Sequence, residues 1–472
     1  MTSFFCLALC LLALPAWGAQ KKSTPPANSF ASPDFAFPKT VEKNAAAKLD
    51  DAMKNNDGLT ALQAAIQLDV ATGLVDGDSY AASLARFDSL ANSLESPYNS
   101  LALMLEATLY RDIYSANAWK FNKRVLPLNP RPANVLEWSR DQISETVCNL
   151  VSRAMADADR LAAVPLSKIE PLLKDAGDAV KAGFSVYDFM AVRADNLLRT
   201  FSKGSGDVIP FGNYPAAVSP SVRPTMLRIE LLDRALGRHG FDADKMIEAY
   251  LSNLRLQCYS GSERKEYLDM CMNKYGNTPW GAAFLVDYCN SLTTDTDSDR
   301  NAVARRKYEL LTAYRDKFPN APQIGEVSAA IDDLLEKCVN VNFQSQLLPD
   351  TPIQVSVSGA NVYDFDLLVY KVKGTDRSKR VKYTDLAASG APLHSVHVSL
   401  NNTSPDSFDS VVNVPALSPG LYAIVPSSTP KASGFLTGNR TNSVSLTLVS
   451  DLSVLKLYNG RGQSPELFVV LA

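Results

Sequence analysis

Histidine is almost missing from this chain: only His239, His394 and His397 occur in 472 residues. The usual general base near neutral pH therefore has few places to act. His394 and His397 are three apart in an extended segment, which sends them to opposite faces, and two ligands for one metal would need a spacing of two. His239, in Gly-Arg-His-Gly after a helical segment, suits a C-terminal cap favoured by the helix dipole. The G-x-S-x-G, H-E-x-x-H and G-x-x-x-x-G-K-[ST] motifs are absent as well, so the sequence implies no cofactor, no metal and no catalytic residues. Neither sign of charge is in excess. Lys+Arg 47 against Asp+Glu 50 gives a net charge of -3, which excludes a whole-chain basic field and with it the expectation of a nucleic-acid partner.

Long apolar runs are also missing beyond the first residues. Phe4 to Leu14 is an apolar run of signal-peptide length, closed by Pro15 and Ala16-Trp17-Gly18, which offers small side chains for a cut before Ala19. The expectation is an exported chain with signal peptide 1–18, periplasmic or attached to the cell envelope. The opening Met1-Thr2-Ser3 lacks the usual Lys or Arg, and Leu7-Ala8-Leu9-Cys10 has the outline of a lipoprotein box placed too early to favour lipidation. No later segment approaches the ~20 apolar residues of a membrane span, so the chain is not expected to be transmembrane. Five cysteines follow the signal: Cys148, Cys258, Cys271, Cys289 and Cys338. None stands in a C-x-x-C. An odd number leaves at least one unpaired within a chain, and buried apolar side chains with at most one bridge are the expectation.

What is present falls into a tether and two periodicities. Residues 19–38 are rich in Pro, Ser and Ala and read as a linker. From residue 39, apolar side chains recur at threes and fours: Val41, Ala45, Leu49 and Met53, then Leu59, Leu62, Ile66 and Val70, then Leu84, Phe87, Leu90 and Leu94. A longer helix begins at Ser96-Pro97, and further helices are expected at 138–161, 167–173, 186–201, 224–236, 243–258, 280–292, 301–318 and 323–338. Ser185 and Asp188 mark a capping box. No fixed period of about 34 residues holds, so the pairs read as irregular helical hairpins. Gly204-Ser205-Gly206 is a loop without phosphate-cradle context. Asp295, Asp297 and Asp299 alternate like a calcium loop but meet Arg300 where a glycine belongs.

At Val339 the period changes to two. Ile353, Val355 and Val357, then Val396, Val398 and Leu400, then Val444, Leu446 and Leu448 alternate with polar residues. Val411 to Val425 reads as two strands folded about Pro419-Gly420. About seven strands make an antiparallel β-sandwich of residues 341–472, after a helical domain of 39–340. The segment from Trp119 to Pro130 breaks the helices with prolines, and its candidate partner-binding residues are Trp119, Phe121, Lys123 and Arg124, with Lys120 beside them. The alternative for Trp119 and Phe121 is packing on their own helices.

The run Phe37 to Ala71, the segment Leu101 to Ser139 and the helix opening at Ser185 to Asp195 resemble the helical N-terminal region of large α2-macroglobulin-like proteins exported by Bacteroidetes. Leu348 to Val372, Val411 to Val425 and Ser445 to Asn459 resemble the first macroglobulin-type sandwich that follows those helices. The resemblance implies a macroglobulin/immunoglobulin-like sandwich and a non-enzymatic role in protease inhibition or envelope defence. It implies partners among other macroglobulin-type domains, envelope proteins and proteases. No C-G-E-Q thioester signature and no bait segment occurs here, so the expectation is a fragment or truncated relative acting as an N-terminal platform. A stand-alone exported module that holds a glycan or peptide through its helical hairpins is the alternative.

Overall fold

The computed structural model describes residues 37–472 apart from 76–79, 126, 175, 203–220, 240–244, 293–299, 345, 374–380, 382–385, 387–389, 402, 428–443, 445, 452, 458–466 and 472. The signal peptide, nearly all of the 19–38 linker, Gly204-Ser205-Gly206 and the Asp295, Asp297, Asp299 series lie outside the described residues. The chain divides into two compact units. One is Met1–Tyr288 with Phe318–Ile324; the other is Cys289–Lys317 with Gly325–Ala472. The change of period near 340 marks the first strand, whereas the second unit also takes in two helices that precede it.

In the first unit α1 (Pro38–Lys54), α2 (Gly58–Val75), α3 (Tyr80–Ser93) and α4 (Tyr98–Phe121) follow one another with short links. Neighbours in sequence are neighbours in space, α1 on α2 and α3 on α4. Gly58 opens α2 because a Cβ there would strike the Tyr98 ring at the start of α4. By length and composition α2 is apolar enough to cross a membrane, a property its four-residue stripe did not suggest. In this fold it is a core helix, with Ala61, Leu62, Ala64, Ala65 and Ala71 fully buried, the small side chains allowing close helix approach.

Further on stand α5 (Arg140–Ala154), α6 (Ala158–Ala163), α7 (Gly177–Lys181), α8 (Val186–Arg199), α9 (Arg223–Leu236), α10 (Lys245–Leu256), α11 (Gly261–Tyr275) and α12 (Ala282–Ser291). The Ser185 capping box forms as expected: Asp188 N–H donates to Ser185 Oγ at 3.2 Å, and Ser185 N–H donates to Asp188 Oδ2 at 2.9 Å. A second box, Ser139 with Gln142, opens α5. The helix expected at 167–173 is instead two 3-10 turns, Leu166–Lys168 and Glu170–Leu172, since Pro171 lacks the N–H that would continue an α-helix. The expected 138–161 helix splits into α5 and α6. α11 was not expected, because only Tyr267, Leu268, Cys271 and Tyr275 of its residues are buried.

Two buried carboxylates clip the helices. Asp195 on α8 accepts from Arg228 Nε at 2.8 Å and Arg199 Nη2 at 2.6 Å, and Asp188 meets His239 Nε2 at 2.8 Å. His239 therefore pairs with the N-terminal turn of α8, where a C-terminal cap was expected. All five cysteines are free thiols. Burial pushes those of Cys148, Cys258 and Cys271 up to about 12 and that of Cys289 up to about 11.

The second unit opens with α13 (Arg300–Lys317) and α14 (Ile324–Leu334) and continues into β1 (Cys338–Asn342), β2 (Gln346–Leu347), β3 (Ile353–Ala360), β4 (Asp364–Val372), β5 (His394–Ser399), β6 (Ser407–Val414), β7 (Gly420–Pro426), β8 (Leu446–Val449), β9 (Ser453–Leu457) and β10 (Leu467–Leu471). One sheet has the order β1-β3-β6, another β2-β8-β7-β4-β5, and β9 pairs with β10. All ladders are antiparallel except β2 with β8.

Ile353, Val355 and Val357 of the first sheet share one apolar cluster with Phe365, Leu367, Val369, Tyr422 and Ile424 of the second, so the two sheets pack face to face. β7 is buried on both sides, because Ala423 and Val425 meet Leu386 and Tyr370 on its outer face. The expected hairpin at Val411 to Val425 is not one. β6 pairs with β3 and β7 pairs with β4 and β8, so residues 415–419 carry the chain from one sheet to the other, with Leu417 buried in the shared cluster. Tyr422 Oη donates back to the Ser418 carbonyl at 2.8 Å.

Ahead of the sheets, α13 is clamped to the approach to β6. Arg305 donates through Nε at 2.7 Å and through Nη2 to Asp406, whose side chain is only 2% exposed. The guanidinium beside it holds the Asp406 carboxyl below its usual range. Asn301 accepts from the Ser407 N–H at 2.9 Å and donates to its carbonyl at 3.1 Å.

Candidate functional site

The segment the sequence singled out begins in the last turns of α4. Asn117 leaves helical geometry at φ -127, ψ 21, and the kinked end turns its two aromatic residues in different directions. Phe121 is fully buried. It packs on Tyr114, whose ring also meets Phe201 at 4.9 Å. Phe121 is thus a core residue and leaves the candidate contact set. Its place two residues after Trp119 on a helix puts the pair on opposite sides. Trp119 is 64% exposed, with Lys120 Nζ and Lys123 Nζ each 5.5 Å from its ring centroid, a cation–π arrangement.

Beyond the helix the chain is fastened without secondary structure. Arg124 Nη1 donates to the Leu136 carbonyl and, at 3.3 Å, to that of Trp138, so Arg124 is a brace. Gln142 Nε2 holds the Pro127 carbonyl at 2.7 Å, and Trp138 Nε1 holds that of Pro132 at 2.7 Å. The Trp138 ring stacks on Tyr110, centroids 5.7 Å apart, and Arg131 lies over it at 5.2 Å while donating to Thr146. Val125, nearly free of contact at 98% exposure, stands on this fastened loop. The structure therefore brings Trp119, Lys120 and Lys123 together as surface, leaves Val125 exposed on the loop that follows, and assigns Phe121 and Arg124 to support.

Earlier on α4, Glu106 is buried, and its Oε2 meets no donor among the described residues. Burial first, then the Asp88 charge, pushes its carboxyl up to about 7 against the opposing pull of Arg153. Tyr110, one turn on, is pushed up to about 12 by burial.

A second concavity was missed by the sequence reading. Phe37, Thr40, Val41, Asn44, Ala45 and Lys48 at the start of α1 and Gln67 of α2 line a groove of about 330 Å³. Its signal was legible: Thr40, Asn44 and Lys48 form a polar stripe at helical spacing beside the apolar one. Lys48 is the one titratable group in that lining. Elsewhere His397 is exposed, with Nδ1 3.1 Å from Asp366 and Nε2 3.5 Å from Asp364, and among the described residues no set of three or more metal-ligating side chains is arranged to hold an ion. No protein-family model matches the chain, and no curated protein matches it either.

Proposed function

We propose that this chain is an exported non-enzymatic scaffold of the α2-macroglobulin-like kind, part of a protease-inhibitor or envelope-defence protein, and that it works through contacts with other chains. The observation that carries the proposal is Trp119. A large aromatic side chain is left 64% exposed in the last turn of α4, and the loop that follows it is braced by Arg124, Gln142 and Trp138. Exposed aromatic residues on preorganised backbone are the anchors of protein interfaces. The order of helices followed by two packed sheets agrees with the proposed family, and Tyr422, bonding back to Ser418, resembles the tyrosine corner of Greek-key sandwiches.

The test is a photo-crosslinking residue in place of Asn122, used in the intact cell envelope. A discrete adduct with a macroglobulin-type protein, an envelope protein or a protease, lost on Trp119→Ala in a chain with unchanged circular dichroism, supports the proposal. An adduct pattern indifferent to Trp119 refutes it.

The alternative of a glycan- or peptide-binding module draws support from the Phe37 groove, whose volume reaches the range of small-ligand sites and whose lining includes the amides of Asn44 and Gln67 and the ring of Phe37. Saturation-transfer NMR with disaccharides and short peptides, repeated on Phe37→Ala, tests it; unchanged transfer in the variant removes it.

A further inference from the structure

The partner's chemistry follows from the charges around Trp119. Residues 113–136 carry Lys120, Lys123, Arg124 and Arg131 and not one Asp or Glu. Arg124 is spent on the carbonyls of Leu136 and Trp138, and Arg131 on Thr146 and the Trp138 ring. Lys120 and Lys123 remain. Neither has a carboxylate within ion-pair reach among the described residues, and both ammonium groups rest on the Trp119 ring. A cation held over an exposed indole is weakly bound compared with one paired to a carboxylate in a closing interface.

We infer that the Trp119 surface is a cation-flanked site for an acidic protein segment bearing an apolar side chain. The inference rests on the contact role proposed above. Carboxylates of the partner pair with Lys120 and Lys123 beside the indole, and the ring, already 64% exposed, receives the apolar side chain. Charge and apolar contact are thereby combined: a neutral apolar segment leaves two ammonium groups unpaired beside it, and a purely acidic one gains only rim ion pairs of little worth. A membrane surface fits less well. Apart from Trp119 and Val125 the described loop exposes no large apolar side chain, too little to anchor in lipid.

The experiment uses the full chain and a fluorescent synthetic peptide of repeated Asp-Asp-Leu, with three controls: the Lys-Lys-Leu counterpart, phosphatidylglycerol vesicles and an oligothymidylate. Anisotropy should show binding of the acidic peptide alone. Affinity should fall about tenfold or more in Lys120→Glu/Lys123→Glu, fall comparably in Trp119→Ala, and decline as salt is raised from about 50 to about 300 mM. Equal binding of the Lys-Lys-Leu peptide, stronger binding to vesicles or oligonucleotide, or an affinity unmoved by the double reversal overturns the inference. If the envelope adduct at Asn122 depends on Trp119 but not on the two lysines, the contact role stands and the acidic preference falls. Peptide binding of the expected kind without any adduct does the reverse.

Discussion

Glu106 gives the sharpest test of the helical core. The residue is 7% exposed, and its carboxyl is raised from 4.5 to about 7, by burial first and then by the Asp88 charge. A rise of that size corresponds to ~3 kcal/mol at 1.36 kcal/mol per decade. Residual solvent screening reduces the figure to about 1–2 kcal/mol. The sign is set by proton uptake. The folded chain holds this proton more tightly than the unfolded one, so the contribution is fully present below the unfolded value of 4.5. It declines as pH rises and is gone above about 7. Glu106→Gln removes the titration and leaves the shape. In urea unfolding followed at 222 nm, the stability of Glu106→Gln relative to wild type should rise by about 1–2 kcal/mol between pH 4.5 and pH 8. Other carboxylates raised by burial, Asp69 and Asp112, cancel in the comparison. A difference that stays constant over that window would refute the reasoning.

Other consequences follow from the same contacts. Phe121→Ala should cost about 3–5 kcal/mol and Trp119→Ala almost nothing, measured by thermal unfolding, since only the first opens a cavity. Asp195→Ala strands a buried Arg228 and should cost about 3–5 kcal/mol in the same assay. Asp406→Asn should lower the unfolding midpoint of the second unit at neutral pH. Because Arg305 holds Asp406 below its ordinary value, that loss should vanish as pH falls through the carboxylate range. Iodoacetamide on the native chain, with mass mapping, should modify exposed Cys338 well before buried Cys148, Cys271 and Cys289.

Periodicity located most helices and the strands from Ile353 onward, because one buried face writes a regular pattern. It failed where burial is not one-sided. α2 is buried nearly all round, so its stripe understated it, and α11 carries its buried residues in its second part alone, with no apolar side chain over 261–266 to begin a stripe. Met155-Ala156-Asp157 ends α5 without a glycine or proline to announce it. Strand partners were not legible either: Val411 to Val425 has the composition of a hairpin, and only the ladders, β6 on β3 and β7 on β4 and β8, show that it crosses. In the candidate site the residue types were readable and the directions were not. Trp119 and Phe121 face opposite ways at a spacing of two, but nothing in the sequence says which of them the core receives. Glu106 sits inside an apolar run, where nothing local reveals its unpartnered oxygen.

The clamp of Arg305 and Asn301 on Asp406 and Ser407 joins residues 101 and 106 positions apart. Anyone excising the sheets by cutting where the rhythm changes, near residue 340, would leave both holders behind. The piece obtained would lose the start of β1, keep every later strand and carry a bare carboxylate in a nearly closed position, and its poor behaviour would be blamed on the strands. The β half has its own helical strut, written ahead of it in the chain, and an excised piece needs to begin near residue 289 to retain it.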